Sequence, residues 1–423
     1  MNILVCGANG FIGRHLCAAL QAAGHRVLRG VHTSRTHHDI AIDYMRDTEV
    51  EDWLPRLEGV DIVINAVGIL CESRTARFDA IHRDAPIALF KACEQAGVKR
   101  VLQVSALGGK DEGNWTPYMR TKRQADAWLM QSSLDWVIFR PSLVVGTDGD
   151  SSRFFRAMAS LPLIGLPGTG DQCMQPVHVD DLCSAIIRVI DSGAYSRKVL
   201  DIAGLQAMSY RDMLAAYRDA MELPPPFWLP VPMALMRVGA VVASCLPQRV
   251  FSPDTLRMLE DGSIADSTTL TDILGTQPCG VEDWFPGASP AALRFEAIAR
   301  WAFPLFRVVL AIVWIVTGLL SFGLYPVSDS MALLRQVGLE GLGAHVALYG
   351  AAMLDCLLGI ATLLAPGRLL WRLQFALIAA YSVIISIFLP QYWLHPFGPL
   401  LKNLPILAIL VVLDAGEARK TTR

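Results

Sequence analysis

Four long apolar runs crowd the last third of this 423-residue chain, at roughly 304–324, 343–365, 370–390 and 397–414. Each is close to the ~20 residues that cross a bilayer core, and in lipid the backbone can satisfy its own polar groups only as a helix or a closed barrel. They predict an all-α bundle of four transmembrane helices over residues 303–415. The hydrophobic fraction of 53% and mean hydropathy of +0.38 reflect this concentration rather than an even spread. Arg294, Arg300 and Arg307 flank the first run, Arg368 and Arg372 separate the second from the third, and Arg419, Lys420 and Arg423 follow the fourth. The other loops offer little beyond Arg335 and Lys402. The positive-inside rule then predicts a multi-pass protein of the cytoplasmic (inner) membrane with both termini in the cytoplasm. Asp355 falls in mid-span, where a charge needs a partner; Lys402, His345 and Arg307 are the candidates, and a structural pair or a proton or ligand site are both open readings.

The first two-thirds must fold differently. From residue 2 to about 204, short apolar runs alternate with amphipathic stretches, the pattern of a parallel sheet with crossover helices. Strands are expected at Ile3-Val5, Arg26-Gly30, Ile40-Ile42, Asp61-Ala66, Val101-Ser105, Trp136-Arg140 and Val199-Ile202, with helices at 11–23, 85–97 and 118–132. The last helix is expected to carry Lys122, Arg123 and Asp126 on a wet face. Residues 205–295 are rich in proline and less periodic, and read as a small substrate-side lobe of the same unit. Within it Met233-Leu246 is apolar but too short to span, which leaves a helix lying on a membrane surface or one covering a pocket.

Charge and cysteine usage exclude several classes. With 37 basic and 39 acidic side chains and no dense basic run, nucleic acid is not an expected partner. The nine cysteines, at 6, 17, 71, 93, 173, 183, 245, 279 and 356, lack the paired spacing of a metal or redox site, so no metal is expected. Met1 to Cys6 run directly into a glycine-rich turn without a basic segment or cleavage site, and no signal peptide is expected.

That turn, Gly7-Ala8-Asn9-Gly10-Phe11-Ile12-Gly13, follows the first strand and opens the first helix. Gly7 suits a tight turn, Gly10 lets the backbone approach a pyrophosphate, and Gly13 lets helix and sheet pack closely. The free N–H groups and dipole of the helix N-terminus favour the phosphates of a nicotinamide dinucleotide. The second strand lacks the acid that would accept the ribose 2′-hydroxyl of NAD(H); His32, Ser34 and Arg35 favour the 2′-phosphate of NADP(H), with NAD(H) left open. Asp43 is placed to hold the adenine amino group. Asn65-Ala66-Val67-Gly68 ends the fourth strand, where small residues leave room for the cofactor ribose, although Asn65 equally suits a turn.

Tyr118 and Lys122 lie four apart, on one face of one helix. An ammonium beside a phenol favours the phenolate, so Lys122 is expected to lower the pKa of Tyr118 and to grip the nicotinamide ribose while Tyr118 relays a proton. Ser105, thirteen residues earlier at a strand end, is placed to hydrogen-bond the reacting carbonyl or alcohol. Pro141 and the His178/Asp180/Asp181 turn complete the set, shaping the nicotinamide end and capping a helix, or serving as structural turns.

With Phe139-Arg140-Pro141-Ser142 and Pro176-Val177-His178-Val179-Asp180-Asp181, these motifs resemble the extended and atypical short-chain dehydrogenase/reductase superfamily over about residues 1–290. The branch that includes the NAD(P)H-binding accessory subunit of respiratory complex I is the nearest in flavour. The resemblance implies a Rossmann domain, a doubly wound parallel sheet, over 1–204. One position departs: where many relatives hold a relay water with Asn, this chain has His82, which either substitutes or leaves the relay absent. The C-terminal segment resembles the DoxX-like membrane family. Together these imply a membrane-anchored NAD(P)(H)-dependent oxidoreductase or epimerase acting on a small or lipophilic carbonyl, alcohol or quinone. The alternative is a non-catalytic NAD(P)H-binding scaffold or sensor for a membrane complex. A transporter is disfavoured, because four short-looped helices enclose little pore.

Overall fold

A computed structural model describes residues 1–36, 38–108, 116–244, 250–396 and 398–417. Cys245, Arg419, Lys420 and Arg423 lie outside the described residues. Contacts divide the chain into two units, Met1–Ala297 and Ile298–Arg423.

The seven apolar runs become the seven strands of one parallel sheet: β1 (Asn2–Cys6), β2 (Arg26–Val31), β3 (Asp39–Ala41), β4 (Ile62–Asn65), β5 (Arg100–Val104), β6 (Trp136–Pro141) and β7 (Lys198–Ile202). Their order, β7-β6-β5-β4-β1-β2-β3, changes direction between β1 and β4, and at such a switch point the strand ends open a crevice for a ligand. Both faces are covered, which is why the central strands β1 and β4 are apolar almost throughout, while charges sit at or near strand ends and at Arg29. On one side α1 (Phe11–Ala22) buries Leu16 and Leu20 with the helix Val179–Ser192. On the other, α2 (Ala85–Ala96) and α3 (Pro117–Gln131) bury Leu89, Phe90, Ala125 and Leu129. Thr116 caps α3 by accepting from the Met119 N–H, and Pro117 opens it with the φ a first turn requires.

Helix α3 overturns the expected wet face. Lys122 is 4% exposed and Asp126 fully buried, because Asp126 accepts a hydrogen bond from Ser105 and sits against the guanidiniums of Arg123 and Arg140. Paired charges of this kind occupy a core position that spacing alone reads as solvent.

The lobe is not a segment of sequence. Its strand Phe227–Val231 pairs in parallel with Leu163–Pro167, and Met208–Ser209 pairs with Cys173–Met174. Its core joins Ile164 and Leu166 to Tyr217, Trp284 and Leu293. Residues inside 1–204 therefore build it together with 205–297, while the helix Thr268–Leu274 returns to the sheet through Leu270 and Ile273. The apolar stretch after Pro232 forms α4 (Met233–Ser244).

Among the described residues three helices are long and apolar enough to cross a membrane. They are Pro290–Leu324, whose regular part is α5 (Pro290–Leu319), then α6 (Gly341–Leu364) and α7 (Arg368–Phe388). The fourth expected span is corrected: α8 (Asn403–Gly416) has 14 residues, about 21 Å of helix, because the apolar run reaches back across Lys402 and irregular chain. Gly318 and Gly359 let α5 and α6 touch; a Cβ on Gly318 would meet Cys356, and one on Gly359 would meet Ile315. Asp355 is 6% exposed, and its Oδ1 has no hydrogen-bond partner. The expected cations are engaged elsewhere or show no contact with it: Arg307 pairs with Glu417 at 2.8 Å, and His345 bonds the Gly341 carbonyl.

Candidate active site

Gly7 has φ +82°, a left-handed turn that glycine adopts without strain. Its N–H and that of Ala8 both donate to the Gly30 carbonyl, tying the turn to β2. A Cβ on Gly13 would stand 2.1 Å from the Gly7 carbonyl oxygen, so the third glycine is what brings α1 against the turn. Gly10 is the N-cap of α1 and offers no side-chain cap, and the first turn holds no acid. The uncapped N–H groups and the positive helix end thus remain for an anion, and a dinucleotide diphosphate fits them.

A cavity of about 1600 Å³ opens from this helix end. Of the residues expected at the site, Gly10, Phe11, Ile12, His32, Ala66, Val67, Gly68, Ser105, Tyr118, Lys122 and Pro141 line it. Gly7 and Gly13 shape the turn behind it. Ser34 and Arg35 are exposed on the loop after β2, where the Asp39 carboxylate accepts from the Arg35 and Thr36 N–H groups. Asp43 begins the turn after β3, with one carboxylate oxygen on the Met45 N–H and Arg46 3.8 Å away. Asn65 is resolved toward the structural reading. It accepts from the Tyr44 hydroxyl, donates to Gln103 and is 1% exposed, so it ties strand ends together beneath the cavity.

Arg29 escaped notice within its strand. Its guanidinium donates to the Asn9 side chain at 2.8 Å and approaches Asp39 at 3.5 Å, which sets a cation beside the glycine turn at the carboxyl end of β2. The available signal was a charged residue inside a strand covered on both faces.

Tyr118 and Lys122 are both buried and both face the cavity, with the Lys122 Nζ 5.8 Å from the centre of the Tyr118 ring. Lys122 donates to the Val104 carbonyl, and Gly68 leaves it room, since a Cβ there would be 3.4 Å from Nζ. Burial pushes the ammonium down to about 8, the Asp126 carboxylate opposing. The expected lowering of Tyr118 by Lys122 is corrected. Burial raises the phenol above its ordinary value, and Arg123 opposes this only in part, so the phenol is protonated at neutral pH. Ser105 spends its proton on the buried Asp126 carboxylate at 2.7 Å, which leaves its oxygen as an acceptor.

His82, at the position where many relatives hold a relay water with Asn, is engaged by the fold on both ring nitrogens. It lies in a π-helical turn, Asp79–Asp84, that leads into α2. Its Nε2 accepts from the Ile69 N–H at 3.0 Å, so Nδ1 carries the proton and faces the Thr121 hydroxyl at 3.3 Å. Burial beside Lys122 pushes it down to about 2 and holds it neutral. Stacked on Phe78 and edge-on to Tyr118, it positions the tyrosine ring and the loop after β4.

Residues 3–203 match the NAD dependent epimerase/dehydratase family, and residues 311–411 the DoxX-like family. The first domain is thus similar to the NAD dependent epimerase/dehydratase family and the tail to the DoxX-like family. Among curated relatives, the mitochondrial NADH dehydrogenase [ubiquinone] 1 alpha subcomplex subunit 9 of Arabidopsis thaliana is 28% identical over 287 residues, 63% of this chain and 70% of its own. A ceramide reductase of Caulobacter vibrioides is 25% identical over 308 residues, 69% of this chain and 87% of its own. Among solved structures, MoeE5 with UDP-glucose and NAD aligns with a TM-score of 0.52 at 20% identity, over 71% of this chain and all of that one. The UDP-glucuronic acid 4-epimerase of Bacillus cereus, with UDP-glucuronic acid and NAD, aligns with 0.51 at 17%, over 71% and 100%. These structures share the fold of the epimerase/dehydratase domain.

Proposed function

We propose that this chain is a membrane-anchored NAD(P)H-dependent oxidoreductase of the short-chain type that reduces a lipophilic carbonyl, with NADP(H) the preferred nucleotide. One observation carries the reading: Tyr118 and Lys122 stand buried side by side on the wall of a cavity that begins at the anion-binding end of α1. The reduced nucleotide supplies a hydride to the carbonyl carbon. Tyr118, protonated at neutral pH, gives its proton to the carbonyl oxygen, and the alcohol leaves with one hydride and one proton gained. Lys122 holds the nicotinamide ribose, and Ser105, as an acceptor, orients a hydroxyl of the product. Arg29 beside Asn9 in β2, with Arg35 exposed on the loop that follows, favours the 2′-phosphate, while Asp39 is turned toward the Arg35 and Thr36 N–H groups and Arg29. The relative named a ceramide reductase supports a lipid-like substrate. Supply of nicotinamide nucleotides supports a cytoplasmic site for this domain, at the inner membrane.

Titration of the purified full-length protein with NADPH and NADH, followed by nucleotide oxidation with long-chain ketones and quinones, tests the reading. Tyr118→Phe is expected to bind nucleotide normally and to lose turnover by about 10²–10⁴-fold. Absence of any nucleotide binding would sink it. The second reading, a nucleotide-binding scaffold, draws on His82, whose two ring nitrogens are both engaged by the fold, and on the likeness to the complex I subunit. Tight NADPH binding with no turnover on any carbonyl, and an unchanged phenotype for Tyr118→Phe, would select it.

A further inference from the structure

Helix α4 has no side suited to water. Its 12 residues place Met236, Ala240 and Ala243 on one face, and Met236 and Ala243 line the cavity, with Ala240 fully buried. The opposite face carries Leu235, Val238, Val241 and Val242, which are 56–61% exposed. Ala234 and Gly239 complete that arc, so it holds no polar side chain, whereas the outer face of a helix on a soluble domain is charged or polar. The helix's charge is Arg237, at the border between the faces, paired with Glu260 at 3.0 Å. The strand that leads into α4 adds Phe227, 69% exposed, and its pairing neighbour Leu163 is exposed as well. Exposed apolar side chains gathered on one helix face mark a partner.

We propose that the partner is the lipid bilayer. On this proposal α4 lies in the membrane surface, its outer face among acyl chains and its inner face forming a wall of the substrate end of the cavity. The same chain already holds a bilayer, through helices long and apolar enough to cross it. At about 18 Å, α4 is too short to span and long enough to lie in the interface. Arg237 stands where a basic side chain reaches headgroups from the edge of an apolar face. The cavity agrees: at about 1600 Å³ it exceeds the ~300–1000 Å³ of an ordinary ligand site. Its lining gathers Phe155, Met158, Met236, Met258 and Leu259 beside a few polar residues such as Glu72, Thr255 and Asp261. The inference rests on the proposed reductase reading for its second half: the carbonyl substrate is an amphiphile with a long alkyl chain, taken from the membrane past α4.

Two measurements on the full-length protein in phosphatidylcholine vesicles test the halves separately. Benzoylphenylalanine placed at Val238 or Val242 and irradiated is expected to yield adducts with lipid acyl chains, while the same probe at the exposed Arg46 yields none. Adducts to a second copy of the chain or to another protein, or no adduct beyond that of the Arg46 probe, overturn the bilayer contact. This readout needs no turnover, so it stands or falls apart from the reductase reading. The double variant Val238→Asp/Val242→Asp is then expected to lower turnover of a vesicle-borne long-chain methyl ketone by about tenfold or more, since acids resist lipid burial. NADPH affinity and turnover of a short water-soluble ketone should be unchanged. Equal loss for both ketones, or no loss for either, overturns the route from the membrane.

Discussion

A methyl group on Gly13 would collide with the backbone carbonyl of Gly7 at 2.1 Å, and neither backbone can yield without moving α1 off the sheet. Gly13→Ala is therefore expected to cost about 1–3 kcal/mol of stability and to abolish nucleotide binding, read by thermal unfolding and NADPH titration. Normal NADPH affinity in that variant would show that the turn is not the cradle. Lys122 makes a different kind of prediction. Its folded value of about 8 lies below the ordinary 10.5, so between those values the unfolded chain holds a proton that the folded one has lost. Its contribution to stability is present above pH 10.5 and is lost as pH falls through 8. Lys122→Met should then unfold at higher temperature than the native chain at pH 7, by up to about 3 kcal/mol, with the gap closing toward pH 10. The same variant should lose carbonyl reduction, and the native enzyme should lose rate above about pH 8 as the ammonium deprotonates. A variant less stable at pH 7 than at pH 10, relative to native, would contradict this. The glycines and the Tyr118/Lys122 pair were legible because their chemistry fixes their spacing. Arg29, Asp126 and the neutral state of His82 were not, because each is defined by a neighbour distant in sequence.

Among the elements, all seven sheet strands could be placed from their apolar runs, since a strand covered on both faces is mostly apolar and its few polar residues, such as Arg29 and Gln103, do not break the run. Helix α3 shows where that logic ends. Periodicity reads Lys122, Arg123 and Asp126 as a solvent face, yet the sheet end holds Ser105 and Arg140 against Asp126. Replacing Asp126 by Leu removes the carboxylate that Arg123 and Arg140 share, and should cost about 3–5 kcal/mol. Asp126→Asn keeps an acceptor for Ser105 and should cost less. Thermal unfolding of the two variants in detergent checks the order; a harmless Asp126→Leu would mean the cluster contributes little. The lobe was half legible: its prolines marked a change of character at 205, but its pairing with Leu163–Pro167 is a long-range contact that no local pattern encodes.

At the scale of the whole molecule, the tail's charges decide how the chain threads. Arg307, in the middle of α5, and Arg368 at the start of α7 both reach Glu417, which follows α8, and Arg372 pairs with Asp414 in α8 at 3.2 Å. The middle of α5, the start of α7 and the end of α8 therefore meet at one level of the bundle. The helix Val327–Gln336 and the turn Pro390–Trp393 join helices at the other end. The four-pass arrangement expected from the charges would need the 14-residue α8, shorter than a usual span, to complete the last pass. On that arrangement, cysteine introduced at Gly367 should react with a membrane-impermeant maleimide from one side of the membrane only, and cysteine at Ser330 only from the opposite side. The positive-inside rule, applied to Arg368 and Arg372, predicts that the Gly367 side is the cytoplasm. Labelling of both positions from the same face would break the four-pass arrangement, and labelling of Gly367 from outside an intact cell would invert it.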